Sequence, residues 1–177
     1  MKIIRLEKKE YYNKAYIYKS PINDLIITAD KDYKYITSLA FHLNDNQIIM
    51  KNEEPLLIKK AKKELDNYFS KKLKVFTIPL AVYATDFQYN VWIETSKIPF
   101  GKTLTYSDIA ENISNKKGSI ARAVGTAEGR NKISIIIPCH RVVGLNKKLT
   151  GYAGGLCRKE YLLRHEGLNI LNSEIIV

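Results

Sequence analysis

The sequence is poor in cysteine, with only Cys139 and Cys157 among 177 residues. That excludes both a disulfide framework and a four-thiolate zinc site. Histidine is scarce as well, and His42, His140 and His165 are too widely spread for two of them to ligate zinc from one element. No metal and no cofactor are therefore expected. No apolar run approaches the roughly 20 residues needed to span a bilayer. No apolar segment follows the opening MKIIRLEKKEYY, so a soluble, unexported, cytoplasmic protein is expected. Negative charge is in short supply, 18 acidic residues against 29 Lys and Arg, for a net charge of +11. Such an excess favours a densely anionic partner, nucleic acid first and an anionic membrane surface second. What the chain does have is apolar content, 45% hydrophobic, enough for one or two small packed domains and too much for disorder.

The first half reads as strands with one helix. Between Ala15 and Phe41, AYIYK alternates, DLIITA is a compact apolar run, and YITSLAF follows a polar turn at Asp30 to Lys34. Pro55 opens a helix whose apolar stripe is Leu57, Ala61, Leu65, Tyr68 and Phe69, leaving Lys59, Lys60, Lys62 and Lys63 on a solvated face. KKLKVFTIPLAVYA, from Lys71 to Ala84, lacks helical periodicity and contains Pro79, and reads as a strand followed by a linker. A domain boundary is placed at Ala84, giving an N-terminal α/β domain over 1–84 and a C-terminal domain over 85–177.

The second half is helical. Thr85 and Gln88 have capping-box spacing, and the helix they open carries Phe87, Val91 and Trp92. After the loop KIPFGKT, Thr105 or Ser107 caps a short helix through Ile113, and Ser119 caps another through about Glu128. Two short helices in tandem suggest a helix-turn-helix. The second turns Ile120, Val124 and Ala127 inward and is otherwise built of small residues, Ala121, Ala123, Gly125 and Thr126, around Arg122. Tight helix packing and approach to a nucleic-acid groove both account for that. Ile133 to Ile137 reads as a buried strand ending at Pro138, and LCRKEYLLRHEG as a helix stopped by Gly167.

Cys139 follows the buried run directly, between Pro138 and His140, and strand ends are where chemistry is commonly mounted. A thiolate is the nucleophilic form of cysteine, and a nearby imidazole and positive charge such as Arg141 favour it. Taken alone, a cysteine beside a histidine is more often structural. Cys157 has no imidazole beside it and reads as a packing residue. His165 and Glu166 fit surface charge, although a carboxylate is also what fixes the tautomer of a catalytic imidazole.

FQYNVW, IPFGKTLTYSDIA, ARAVG, IIIPCHRVVG, LTGYAGG and RKEYLLRHEG occur in this order over nearly all of Asp86 to Gly167. The series resembles the signature of the O6-alkylguanine-DNA alkyltransferases, the methylated-DNA–protein-cysteine methyltransferases. The resemblance implies a small strand-rich α/β domain followed by a helical, winged helix-turn-helix-like catalytic domain. It implies direct, irreversible repair of O6-alkylguanine in double-stranded DNA by a monomer, with O4-methylthymine as a second candidate substrate. Cys139 would accept the alkyl group, His140 would act as its base through a water, and Glu166 would orient the imidazole. Tyr152 would protonate guanine O6, and Asn131 would bridge the recognition helix to the Cys139 segment. The carbonyls of Cys139 and Val142 would accept from the exocyclic amine, and the Ala153 N–H would reach O6. The helix-turn-helix would dock in the minor groove, which accounts for the small residues Ala123, Gly125 and Thr126. Arg122 would replace the extruded nucleotide, and Tyr106 would press on the adjoining phosphate. Arg141 is counted among the substrate-binding residues.

Two features depart from the family's pattern. ENISNKKGSI lacks the common proline and is slightly longer than usual, and Lys132 follows Asn131 where proline is usual. Lys117 and Lys132 are candidate phosphate contacts, with solvated surface the commoner fate for each. Three rival readings remain: a non-catalytic lesion binder, against which Cys139 itself argues; a sequence-specific transcription factor, which would have no need of Cys139; and a cysteine peptidase, for which adjacent Cys139 and His140 are poorly suited.

Overall fold

The computed structural model describes residues 1–6, 14–42, 47–50, 53–114 and 120–176. They fall into two compact units, Met1–Ala84 and Thr85–Val177. Among the described residues no helix is long and apolar enough to cross a membrane.

The first unit is a six-stranded mixed sheet with one helix. Its strands are β1 (Ile3–Leu6), β2 (Lys14–Tyr18), β3 (Leu25–Ala29), β4 (Ile36–Ala40), β5 (Ile48–Ile49) and β6 (Leu80–Tyr83), in spatial order β1-β6-β4-β3-β2-β5. The β2-β3-β4 meander is antiparallel. Its β3–β4 turn lies where the polar run Asp30 to Lys34 predicts it, and the Asp30 carboxylate accepts from the backbone N–H groups of Lys34 and Tyr35. β3, the run LIITA, is buried at every position, as a central strand covered on both faces should be.

β1 pairs in parallel with β6, a long-range partnership that no local pattern announces, and one expectation is corrected. The strand expected early in Lys71–Ala84 instead comes last, after Pro79, because Glu64 of α1 (Leu56–Phe69) claims the preceding segment. The Glu64 carboxylate accepts from Thr77 N–H at 2.8 Å and Ile78 N–H at 3.4 Å, and from the Thr77 hydroxyl. The segment's backbone donors are thus spent on a side chain rather than on a neighbouring strand. The same geometry moves the buried stripe of α1 to Ile58, Ala61, Glu64, Leu65 and Tyr68, with Leu57 only half-buried.

The second unit holds α2 (Asp86–Ser96), β7 (Leu104–Thr105), α3 (Tyr106–Ser114), α4 (Ala121–Gly129), β8 (Val142–Val143), α5 (Leu156–His165) and the hairpin β9–β10 (Asn169–Leu171, Glu174–Ile176). The capping box at Thr85 and Gln88 is formed. Thr105 caps α3, since its hydroxyl accepts from Asp108 N–H while Asp108 accepts from Thr105 N–H. Ser119 and Lys117, together with the rest of the α3–α4 connection, lie outside the described residues. Trp92 is buried and its indole N–H donates to the Ala127 carbonyl at 3.0 Å, tying α2 to α4. Each fully buried aliphatic side chain in this core, such as Val91, Ile109 and Val124, contributes roughly 1.5–3 kcal/mol by leaving water. Val143, Leu149, Leu163, Ile170 and Ile175 form a cluster that packs the hairpin on α5. Gly167, at φ +92°, follows α5 as the C-terminal signal predicted.

Candidate active site

Ile133 to Ile137 is buried throughout, as expected, but is a chain of turns rather than a strand. Ile137 N–H bonds back to Ile133 O, and Ile136 N–H to Ser134 O. Ile135 sits at φ +71°, a left-handed conformation that costs a β-branched residue about 1–3 kcal/mol. The turns end in a single 3₁₀ turn, Cys139–Arg141, so Cys139 is mounted on that turn and not on a strand end.

Asn131 holds the turn in place. Its side-chain N–H₂ donates to Ile137 O at 2.9 Å and to Cys139 Sγ at 3.1 Å, its carbonyl accepts from Ile133 N–H at 2.9 Å, and its backbone N–H reaches Glu128 O at the end of α4. This is the bridge that the resemblance implies, and it forms with an exposed Lys132 in the position where proline is usual.

Cys139 is 5% exposed and lines a pocket of about 270 Å³ with Tyr106, Gly125, Glu128, Tyr152 and Ala153. Burial pushes its thiol up to about 12, with the Glu128 charge adding to the rise, while the Asn131 hydrogen bond and the Lys159 charge act the other way. Burial thus favours the thiol, against the thiolate that the neighbouring imidazole and Arg141 lead one to expect. Arg141 accounts for part of the difference. Its guanidinium points away, onto Glu166 Oε1 and Oε2 and onto Ile98 O, and the side chain is buried. Arg141 is thus a buried partner of Glu166, its guanidinium spent on that carboxylate and on Ile98 O.

Behind the cysteine, His140 and Glu166 are buried side by side. His140 Nε2 lies 2.9 Å from Glu166 Oε1, and Nδ1 has no hydrogen-bond partner among the described residues. Glu166 accepts in addition from Arg141 and, at 3.0 Å, from Gly101 N–H. Burial works against its charge, but His140 and Arg141 outweigh it and hold the carboxyl far below the usual carboxylate range. Burial drives His140 the other way, below its ordinary value, so the imidazole is neutral at rest. An ionised Glu166 fixes the tautomer with the proton on Nε2, which leaves Nδ1 as a free base. Gly101, in IPFGKT, is at φ +72°, and a Cβ there would stand 2.9 Å from Glu166 O. Only glycine lets this loop approach so closely.

Lys159, which the sequence reading passed over, is fully buried in α5. Its ammonium donates to the carbonyls of Val142 and Thr150 at 2.6 Å each and of Gly151 at 3.1 Å. The helical spacing of Lys159, Leu162, Leu163 and Glu166 places it on the buried face and could have found it. The Val142 carbonyl therefore already accepts one bond, and the Cys139 carbonyl accepts from Val142 N–H. Each retains a second lone pair. Tyr106 donates to Thr150 O at 3.2 Å. Tyr152 is pushed well above its ordinary value, by burial first and by Cys139 second, so its phenol stays protonated.

The remaining residues of α4 divide by face. Arg122, Ala123 and Thr126 are exposed, whereas Gly125 faces the Tyr106 ring and lines the pocket. Cys157, expected to pack, is exposed, because it lies two residues, about 200°, around α5 from buried Lys159. Iodoacetamide at about pH 7.5 should label Cys157 at least roughly tenfold faster than buried Cys139. Peptide mapping after brief treatment checks this, and preferential labelling of Cys139 would contradict its burial as a thiol.

A six-stranded α/β unit followed by tandem helices and a buried cysteine backed by His and Glu defines a cysteine-nucleophile protein of the helix-turn-helix type. Residues 86–168 match the 6-O-methylguanine DNA methyltransferase DNA binding domain, and residues 13–82 match the ribonuclease-like domain of the same family. The methylated-DNA–protein-cysteine methyltransferase of Methanosarcina acetivorans is 44% identical over 156 residues, 85% of this chain and 96% of that one. The constitutive enzyme of Bacillus subtilis is 37% identical over 166 residues, 90% of this chain and 96% of its own. The crystal structure of Mycobacterium tuberculosis OGT in complex with DNA superposes with a TM-score of 0.77 at 36% identity, over 86% of this chain and 92% of that one. The chain belongs to the methylated-DNA–protein-cysteine methyltransferase family.

Proposed function

We propose that this protein repairs O6-alkylguanine in double-stranded DNA by moving the alkyl group, once and irreversibly, to Cys139. The observation that carries the reading is Cys139 lining a pocket with the proton donor Tyr152, while His140, its Nδ1 free, is oriented from behind by Glu166. The bond that forms joins Cys139 Sγ to the alkyl carbon, and the bond that breaks joins that carbon to guanine O6. The thiol proton passes to His140 through a water, and Tyr152 supplies a proton to O6 so that guanine leaves neutral. The proton held by His140 then restores Tyr152, so that in net the thiol proton ends on guanine. A thiol pushed up to about 12 fits this order, since proton removal and attack are then coupled and the thiol is spared from stray electrophiles. The thioether has no proton to lose and no hydrolytic route back, so each molecule acts once.

Access to the base requires extrusion from the duplex, which costs a few kcal/mol and less for a mispaired lesion. Exposed Arg122, beside the small residues Ala123 and Thr126 on α4, is suited to fill the space left in the stack. The net charge of +11 supports sequence-independent sampling of DNA that weakens as salt rises. Every group of the site comes from Thr85–Val177 of one chain, in keeping with action as a monomer.

The test is to mix the protein with a duplex carrying one O6-methylguanine and map methyl groups by peptide mass spectrometry. One methyl per molecule on the Cys139 peptide is expected. Cys139→Ser should bind the same duplex and acquire none, and methyl transfer by that variant, or none by the wild type, would overturn the reading.

A further inference from the structure

The pocket that holds Cys139 contains one group for which the transfer reaction has no use. Glu128, at the end of α4, is 5% exposed and lines the pocket. Its Oε1 meets the hydroxyl of fully buried Thr95, and that hydroxyl also reaches Val91 O at 2.9 Å. Thr95 has a single proton to give. If it goes to Val91 O, the Glu128 carboxyl donates its own proton from Oε1 to Thr95, and Oε2 is left as a carbonyl-type acceptor. Burial supports the protonated form, pushing Glu128 up to about 7, although Thr95 and the Lys159 charge act the other way. Oε2 is buried and has no hydrogen-bond partner among the described residues. Lys159 does not supply one, because its ammonium is directed at the carbonyls of Val142, Thr150 and Gly151.

A buried acceptor without a donor costs about 1–3 kcal/mol, and because Glu128 lines the pocket, a turn of its carboxyl toward a ligand hydroxyl there would recover that cost. A site built to bond a substrate hydroxyl rejects the isostere that lacks it far more strongly than an apolar pocket discriminates by size. Glu128 shares the pocket lining with Cys139 and Tyr106, so it stands near the groups that surround the transferred carbon.

We propose that Glu128 is a specificity-determining residue of the acceptor pocket, its carboxyl favouring O6 substituents that end in a hydroxyl over hydrocarbon substituents of equal length. The proposal rests on the transfer reading above.

The matched pair of substrates is O6-(2-hydroxyethyl)guanine and O6-propylguanine, which differ by OH for CH₃, each in the same duplex, with O6-methylguanine as reference. Single-turnover rates give a hydroxyethyl-to-propyl ratio within each protein, and folding differences between variants cancel in that ratio. The wild type is expected to show a ratio of about ten or more. Glu128→Met and Glu128→Ala, which remove the carboxyl with and without retained bulk, should bring it to about one or below, and Glu128→Gln, which still bonds a hydroxyl, should keep most of it. A wild-type ratio of one or less overturns the proposal without recourse to any variant, as does a ratio unchanged in Glu128→Met or Glu128→Ala. If the wild type leaves O6-methylguanine untouched, the transfer reading itself fails and the proposal falls with it.

Discussion

Glu166→Gln is expected to slow alkyl transfer by about a hundredfold or more and to destabilise the protein by roughly 3–5 kcal/mol. The wild-type carboxylate accepts from His140, from Arg141 at two nitrogens and from Gly101. Glutamine presents one oxygen to those donors and turns an N–H₂ toward the others, so donor faces donor at a buried site. The Arg141 charge is left buried without its counter-ion, and the imidazolium formed when His140 takes the thiol proton is no longer stabilised. The stability loss carries a pH signature. Because the folded carboxyl is held below its ordinary value of 4.5, the stabilisation from Glu166 is full above that value and is lost as pH falls toward the depressed one. The gap in unfolding midpoint between wild type and variant should therefore be full at neutral pH and shrink in acid below about pH 4.5. Equal transfer rates would remove Glu166 from the mechanism, and a gap independent of pH would remove the ion cluster as the source of stability.

Local chemistry made much of this molecule legible in the sequence, and long-range pairing hid the rest. The helices of Thr85–Val177 could be placed because caps such as Thr85 with Gln88 and stops such as Gly167 are written within a few residues of where they act. β1 could not, since its partner β6 lies more than seventy residues further on and the pairing is parallel, Ile3 opposite Leu80. The turns of Ile133 to Ile137 have the sequence of a strand because continuous apolar character reports burial, and burial is all it reports. Asn131, by bonding Ile133 N–H and Ile137 O, provides the polar partners that a neighbouring strand would otherwise have had to supply.

At the site, adjacency in sequence proved a poor guide to contact. Arg141, two residues from Cys139, serves Glu166, whereas the cation that acts on the thiol is Lys159. A side chain on a 3₁₀ turn is directed about 120° from its neighbour, so consecutive Cys, His and Arg point to different surroundings. The ordered motif series locates the functional segments, but which charge faces which is fixed only when α5 packs against the Cys139 turn. Glu128, near the end of a helix of small residues, carries no local signal of burial, and its partner is Thr95 of α2.

Lys159→Met is expected to lower the transfer rate by roughly a hundredfold or more through two effects of one buried charge. Its three N–H groups match the carbonyls of Val142, Thr150 and Gly151, and so fasten the segment after Cys139 to the segment that carries Tyr152. Methionine fills the space but leaves those carbonyls without their donor, at about 1–3 kcal/mol for each one that water cannot reach. The second effect is electrostatic, because the ammonium is the positive charge that opposes the rise of the Cys139 thiol and favours sulfur as negative charge builds on it. A purely structural role is separated from this by the pH–rate profile. Burial lowers Lys159 to about 8, with Cys139 and Glu128 acting the other way, so its charge is lost as pH rises through that value. In the wild type, the gain expected from easier thiol deprotonation above about pH 8 is then offset by the vanishing ammonium, and the profile flattens. In Lys159→Met no charge remains to be lost, and the residual rate should climb steadily over the same range. Single-turnover rates from about pH 6 to 10 decide the matter; parallel profiles in the two proteins would reduce Lys159 to a tether for the two loops.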